Sequence, residues 1–497
     1  MESSKSSPER VTFVKDISIL VTGTTFAQIL TILASPILTR LYGPEAFGLF
    51  ALFTSITSII GVIACLRYEL SIMLPESEED AISLLSLCIL IVTIISLLTV
   101  PIIWFGQVPL CQLLNAPDLA PYLWSVPPFV FLSGVFLALN YWNSRTKQFR
   151  RLAISRVTKA VTTTGTQIGA GFTQNAGGGG LILASVFGQL VATLVLAGQI
   201  WRDDYHLIKR SLNFQQMRDG FTRYKKFPLI DTISSLLNTI SWQLPAFLLA
   251  AFFSPVIVGF YALGFRMLQL PMSLVGSSIS QVFFQRAAEA KREGTLDILV
   301  ENVFKVLIMI GLFPILILTF IGQEVFSVIF GQVWAEAGVY TQILSIWALI
   351  WFITTPLSLL YIILEKQEFG LKFNIANFVT RLGSLVIGGL LGSPEIALGL
   401  FAGSGIIVYG YLGFKMLDYA HVKRSRSMKI IVSNLLMFIP AGIILGTMKI
   451  ADINSLILVI IATLLSLGYY LFIIRSDPQI KRLVMTFGPF QKMMKKN

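Results

Sequence analysis

The chain has 497 residues, of which 55% are hydrophobic and only 13% charged, and its mean hydropathy is +0.76. Water-soluble proteins carry about 25% charged residues, so this composition excludes a soluble enzyme and makes lipid the main solvent. The net charge of +12 therefore has to be read from where the cations lie relative to the bilayer. Three cysteines (Cys65, Cys88, Cys111) and two histidines (His206, His421) are too few and too scattered for a zinc site or a disulfide framework, so neither metal nor cofactor is expected.

A helix crossing about 30 Å of hydrocarbon needs roughly 20 apolar residues, because each residue rises about 1.5 Å and no backbone polar group can be left bare. Stretches of that length begin near Ile17, Ala46, Ala81, Tyr122, Ile154, Leu181, Phe227, Val256, Val303, Tyr340, Phe373, Ile396, Ile430 and Ser455. The expected fold is thus an all-α polytopic membrane protein of about 14 transmembrane helices. Lysine and arginine concentrate in cytoplasmic loops, and every second connection here is basic. The N-terminal tail has Lys5, Arg10 and Lys15. The fourth connection has Arg145, Lys147, Arg150, Arg151, Arg156 and Lys159, and the sixth has seven cations from Arg202 to Lys226. Later ones carry Arg286, Lys291 and Arg292, then Lys366 and Lys372, then Lys423, Arg424, Arg426 and Lys429, with six more in the tail from Arg475 onward. The alternate connections contain only Arg40 and Lys449. Both termini are therefore expected in the cytoplasm, and orientation accounts for the charge without nucleic acid.

No cleavable signal peptide is expected, because the first apolar stretch is a full span rather than a short segment with a small-residue cleavage site. The outer connections are short and leave no room for an external catalytic domain. The run Gly177 to Gly180 reads as one such external turn, and it lacks the strand and lysine of a phosphate-binding loop. Without an ATPase motif, any transport is driven by an ion gradient or by the substrate's own gradient.

The chain repeats itself. LYGPEAFGLFAL, from Leu41, aligns with FFSPVIVGFYAL, from Phe252, pairing Pro44 with Pro255, Gly48 with Gly259 and Ala51 with Ala262 at a separation of 211. Lys147-Gln148 and Tyr122 find counterparts in Lys366-Gln367 and Tyr340 at separations near 219. Each half then holds six spans, and because six is even the repeat is parallel. The expected organisation is a six-helix lobe over 1–200, a cytoplasmic amphipathic linker over 201–226, a second six-helix lobe over 227–420, and two further helices with a basic tail over 421–497.

Polar residues recur at helical spacing inside three spans of the second half. In the eighth they are Gly259, Ala262, Arg266, Gln269, Ser273, Gly276 and Ser280, in the eleventh Asn374, Asn377, Arg381, Ser384 and Gly388, and in the seventh Asp231, Ser234, Asn238, Ser241 and Pro245. Arg266 and Arg381 each lie roughly 14 to 16 Å deep, near the bilayer centre. A guanidinium there costs at least about 2.5 to 3.5 kcal/mol unless it has a partner or a wet cavity, and its fork suits phosphate oxygens. Two readings stay open: substrate contact, or a permanent bond to a carboxylate such as Asp231 or to carbonyls of a broken helix. Asp231, near the start of its span, is either an interfacial cap or a proton- or cation-coupling group. Pro245, Pro255 and Pro271 can bend or end helices seven and eight. The first half offers Thr22, Thr25, Gln28, Thr162, Thr166 and Gln167 but, on this reading, no mid-depth cation.

RLYGPEAFGLFAL (from Arg40), RYELSIMLP (from Arg67), NYWNSRTKQFRRLAISRV (from Asn140), the long segment from Phe227 to Leu263 and FGQVWAEAGVY (from Phe330) resemble the Wzx-type oligosaccharide flippases of the multidrug, oligosaccharidyl-lipid and polysaccharide exporter superfamily. The resemblance implies an inner-membrane protein with two lobes around a cationic cavity. Such a protein carries an undecaprenyl-diphosphate-linked glycan from the cytoplasmic to the periplasmic leaflet during polysaccharide synthesis. It implies a lipid-linked oligosaccharide as substrate and contact with membrane lipids; whether H+, Na+ or neither drives transport, and whether a polysaccharide polymerase and chain-length proteins are partners, stay open. Under it, Arg266 and Arg381 hold the diphosphate or an acidic sugar, and Gln269, Asn374 and Asn377 bond hydroxyls. The rivals are an ion-coupled multidrug exporter of the same superfamily, which prefers acidic cavity residues, and a non-transporting partner of polysaccharide assembly. A membrane glycan polymerase or ligase fits less well, since it needs a large outer loop.

Overall fold

The computed structural model describes residues 8–173, 177–211 and 214–477; Lys5 and the tail cations from Lys481 onward lie outside them. By internal contacts the chain divides into two units, Met1–Gly259 and Phe260–Asn497. Among the described residues eleven helices are long and apolar enough to cross a membrane, or up to 13 when each of two bent pairs counts as one span. The chain is a multi-pass membrane protein.

In the first unit, α1 (Pro8–Leu41), α2 (Pro44–Ala64) and α3 (Glu78–Leu113) lead to the short α4 (Ala120–Leu123), and α5 (Val126–Arg145) follows at a 53° bend. Then come α6 (Phe149–Gly171), α7 (Gly177–Ser211), α8 (Phe214–Arg223), α9 (Thr232–Phe252) and the start of α10 (Pro255–Leu268). The start of α3 shows why such helices begin where they do. Ser77 Oγ accepts from Asp80 N at 3.1 Å, and Glu78, Glu79 and Asp80 fill the first turn, where carboxylates complement the helix dipole. Gly177 to Gly180, read from sequence as a turn, instead form the first turn of α7. They do so because neighbouring side chains occupy the space that Cβ atoms would need: Leu49 lies against Gly178 and Tyr122 against Gly179. The amphipathic α8 packs on α3, where Ser83 Oγ donates to Gln216 Oε1 at 3.1 Å.

In the second unit, α11 (Ser277–Glu293) continues from α10 after a 42° bend. Pro271 and a π-helical turn at Met272–Gly276 occupy the bend, as a residue without an N–H requires. Pro255 starts α10, whereas Pro245 sits within a continuous α9. The long α12 (Leu296–Phe330) and α13 (Ala335–Ser358) pack together, followed by α14 (Leu360–Ile363), α15 (Gln367–Leu390), α16 (Pro394–Tyr419), α17 (Arg424–Ile450) and α18 (Ser455–Ser476). Helix α12 breaks at Ile321. In lipid a freed carbonyl needs a partner, and Gln342 Nε2 of α13 supplies one, donating to Thr319 O and Phe320 O at 3.1 Å each. Phe401 and Tyr409 of α16 each pack edge-to-face with Trp347 of α13 in the core.

Candidate functional site

The repeated sequence forms a contact within the first unit. A Cβ built on Gly48 of α2 falls 1.8 Å from Pro255 O, and one built on Gly259 of α10 falls 1.9 Å from Pro44 O. The two copies of the Pro-x-x-x-Gly pattern thus meet reciprocally, each glycine against the other's proline carbonyl. Small residues let helix backbones approach this closely in a membrane. Further along the α2–α9 pairing, Ser55 Oγ donates to Gln243 Oε1 at 2.9 Å.

At the end of α2 the chain turns sharply, with Leu66 and Arg67 both at positive φ (48° and 62°), a strained conformation for residues with side chains. The turn delivers Arg67 to two carboxylates. Its Nε donates to Asp231 Oδ2 at 2.9 Å and its Nη1 reaches Glu69 Oε1 at 3.4 Å. Asp231 is 43% exposed, but Glu69 is only 1% exposed and its Oε2 has no hydrogen-bond partner. Burial pushes the Glu69 carboxyl above its ordinary range and Asp231 adds to that, while a backbone hydrogen bond and Arg67 act against it. Tyr68, fully buried beside them, donates to Phe221 O at 2.8 Å, and burial raises its phenol to about 12. Asp231, singled out from sequence as a coupling group, is therefore held by a cation. Arg67 and Glu69 belong to the quoted RYELSIMLP segment, yet sequence alone gave no sign that they would meet Asp231, 164 residues away.

The first half carries two cations inside a helix that the charge pattern assigns to a connection. Arg156 and Lys159 were assigned to the fourth connection, but α6 already begins at Phe149 and runs parallel to α1. Gly23 abuts Ala153 near one end, and Gly171 abuts Leu41 near the other. Lys159 lies ten residues inside this 23-residue helix, about 15 Å from its start. Arg156 Nη1 donates to Thr24 Oγ1 at 3.0 Å, and Lys159 Nζ stands 6.0 Å from the Phe136 ring centroid. Neither forms an ion pair with a described residue. Their charge lowers the apolarity of α6, which is why this helix is missing from the candidate spans although it packs on α1 and α7. Gln167 faces α7, where its Nε2 lies 3.4 Å from Leu181 O.

In the second unit, Arg266 sits two residues before α10 ends at the bend, half-buried and without an ion pair among the described residues. Gln269 lies in the bend itself, also half-buried. Arg381 is enclosed, at 2% exposure: its Nη2 donates to Tyr409 Oη at 3.2 Å and its guanidinium lies 5.9 Å from the Phe401 ring. Asn377 Nδ2 donates to the same Tyr409 oxygen at 3.3 Å. Arg381 and Asn377 are thus brought together on one phenol, whereas Asn374, two turns before Arg381 on the same side of α15, is exposed.

Comparison of folds finds the same helical, multi-pass architecture in solved structures of membrane proteins. The structure is similar to that of the lipid II flippase MurJ in an inward closed conformation, with a TM-score of 0.73 and 14% identity over 92% of this chain and 99% of that one. It is also similar to an inward-facing multidrug resistance MATE family transporter of the MOP superfamily (TM-score 0.54, 16% identity, 79% and 95% of the two chains). A MOP superfamily transporter from Pyrococcus furiosus matches at a TM-score of 0.51 and 17% identity, over 82% and 96%. No curated protein matches the chain. A family profile described as polysaccharide biosynthesis protein matches residues 37–339, more than half of the sequence, and the chain belongs to that family.

Proposed function

We propose that the protein is a flippase, moving undecaprenyl-diphosphate-linked oligosaccharide units from the cytoplasmic to the periplasmic leaflet of the inner membrane by alternating access. The products feed O-antigen, capsule or exopolysaccharide synthesis, and a polymerase with its chain-length proteins receives them. The observation that carries this reading is Arg266, a guanidinium eleven residues inside α10 without a carboxylate among the described residues. A charge held at that depth is tolerated where it meets water or a mobile anion, and a diphosphate is such an anion. Family membership and the MurJ-like fold support the class of cargo and the motion. In this mechanism Arg266 attracts the phosphates or an acidic sugar, and Arg381 joins it when α15 and α16 part around Tyr409; Arg156 and Lys159 offer cations of the first unit to the same class of cargo. Gln269, Asn374 and Asn377 bond sugar hydroxyls. Asp231 takes up a proton or Na+ only in a state in which Arg67 has released it.

Translocation of a fluorescent polyprenyl-diphosphate oligosaccharide in proteoliposomes tests the proposal. Wild-type protein moves the label between leaflets. Arg266→Ala and Lys159→Gln each slow it by about tenfold or more, the loss expected for one charged hydrogen bond. Arg381→Ala is read beside Tyr409→Phe, which removes the same buried bond. A loss only with Arg381→Ala marks contact with the cargo, whereas equal losses mark a packing role. A folded wild type that moves no lipid-linked glycan sinks the proposal.

A further inference from the structure

The second unit contains a cavity of about 520 Å³ between α12, α13, α16 and α17, within the size range of ligand sites. Its walls run from Phe304 to Leu316 on α12 and from Arg424 to Leu435 on α17, a length of about 16 to 18 Å at the helical rise. That matches one leaflet of a hydrocarbon core roughly 30 Å thick. The lining is apolar apart from Thr354 and one end, to which the exposed Asp418 and Arg424 and the buried Ser427 contribute. This end adjoins the basic connection between α16 and α17, which the charge pattern places on the cytoplasmic side. Ser427 is only 7% exposed, and its Oγ has no hydrogen-bond partner, an uncompensated state for a buried hydroxyl. Arg424 stands 4.6 Å over the Phe414 ring, and neither it nor Asp418 pairs with an opposite charge among the described residues.

We propose that this slot binds an amine-bearing phospholipid of the cytoplasmic leaflet, of the phosphatidylethanolamine type. An acyl chain fills the apolar length, one leaflet deep. The phosphate accepts from Arg424 and from the Ser427 hydroxyl, and the lipid ammonium donates to Asp418. Stacking on Phe414 fixes the guanidinium plane and leaves its edge N–H groups for the phosphate. The combination selects a headgroup with both signs and N–H donors. A glycerol headgroup lacks the ammonium, a choline headgroup lacks the N–H donors, and a polyprenyl phosphate lacks both.

The test uses the full-length protein, delipidated in detergent. It is titrated with phospholipids of identical acyl chains bearing ethanolamine, glycerol or choline headgroups, and with a polyprenyl monophosphate. Native mass spectrometry counts the adducts and thermal unfolding reports their effect. The ethanolamine lipid is expected to be retained singly, about tenfold over the choline lipid, and to raise the unfolding temperature. Asp418→Asn removes the preference for ethanolamine over glycerol while leaving a lipid bound, and Arg424→Gln weakens both about tenfold. Gly410→Phe fills the slot from a position where an added Cβ meets no atom within 4 Å, and it removes the adduct. Equal retention of all headgroups, a preference for the polyprenyl phosphate, an adduct that survives in folded Gly410→Phe, or an ethanolamine preference that survives Asp418→Asn overturns the proposal. Should Gly410→Phe not fold, the headgroup preference and its loss in Asp418→Asn still decide.

Discussion

Gly48→Ala is expected to destabilise the protein by about 1–3 kcal/mol, the range for overpacking a tight contact. Alanine normally stabilises a helix relative to glycine by about 1 kcal/mol, so the expected sign is opposite to that of helix propensity. The reason is local. The new Cβ falls 1.8 Å from Pro255 O, backbone meets backbone, and no rotamer change can relieve the clash. Gly259→Ala places its Cβ 1.9 Å from Pro44 O and should behave alike. Because both substitutions spread one contact, the double variant should lose less than the sum of the singles. Gly61→Ala, in the same helix with nothing within 4 Å of its added Cβ, is the control and should be neutral or slightly stabilising. Unfolding in mixed micelles reads all four, and a Gly48→Ala protein as stable as Gly61→Ala would show that the helices are not in backbone contact.

Arg67→Gln should destabilise by about 1–3 kcal/mol, most of it from the Glu69 carboxylate left without its cation. The Asp231 share is small because that carboxylate is 43% exposed and water replaces the lost partner. Glu69→Gln added to Arg67→Gln should therefore recover most of the loss. The Glu69→Gln single variant carries a pH signature. Burial raises the Glu69 carboxyl above its ordinary value of 4.5, so between 4.5 and the higher folded-state value the folded protein binds more proton than the unfolded one. Stability then falls as pH rises through that window and levels off above it. Replacing Glu69 by glutamine should remove that slope and leave the protein at least as stable near neutral pH. Unfolding free energies measured from pH 4 to pH 8 check the sign. A slope that persists in Glu69→Gln would assign it to another group.

The spans and their approximate number were legible in the sequence, because the bilayer imposes length and hydropathy on every segment independently of its neighbours. The repeat marked Pro44, Gly48, Pro255 and Gly259 as equivalent, but not that they touch. The depth of Lys159 was misread because its charge was taken to mark a loop. A span can hold a cation when its neighbours share the interior, and α6 lies between α1 and α7. Gly177 to Gly180 were misread for a related reason, since glycine in a helix is disfavoured until a neighbour needs the space.

Sequence by itself determined that this is a helical membrane protein and where most of its spans lie. These follow from a one-dimensional match of each segment to lipid. Only the tertiary structure decided that Arg67 joins Glu69 to Asp231, that Tyr409 gathers Arg381 and Asn377, and that Gln342 satisfies the break in α12. Each is a contact between residues distant in the chain. Such contacts depend on helix rotation and crossing, which periodicity narrows to a face but does not assign to a partner.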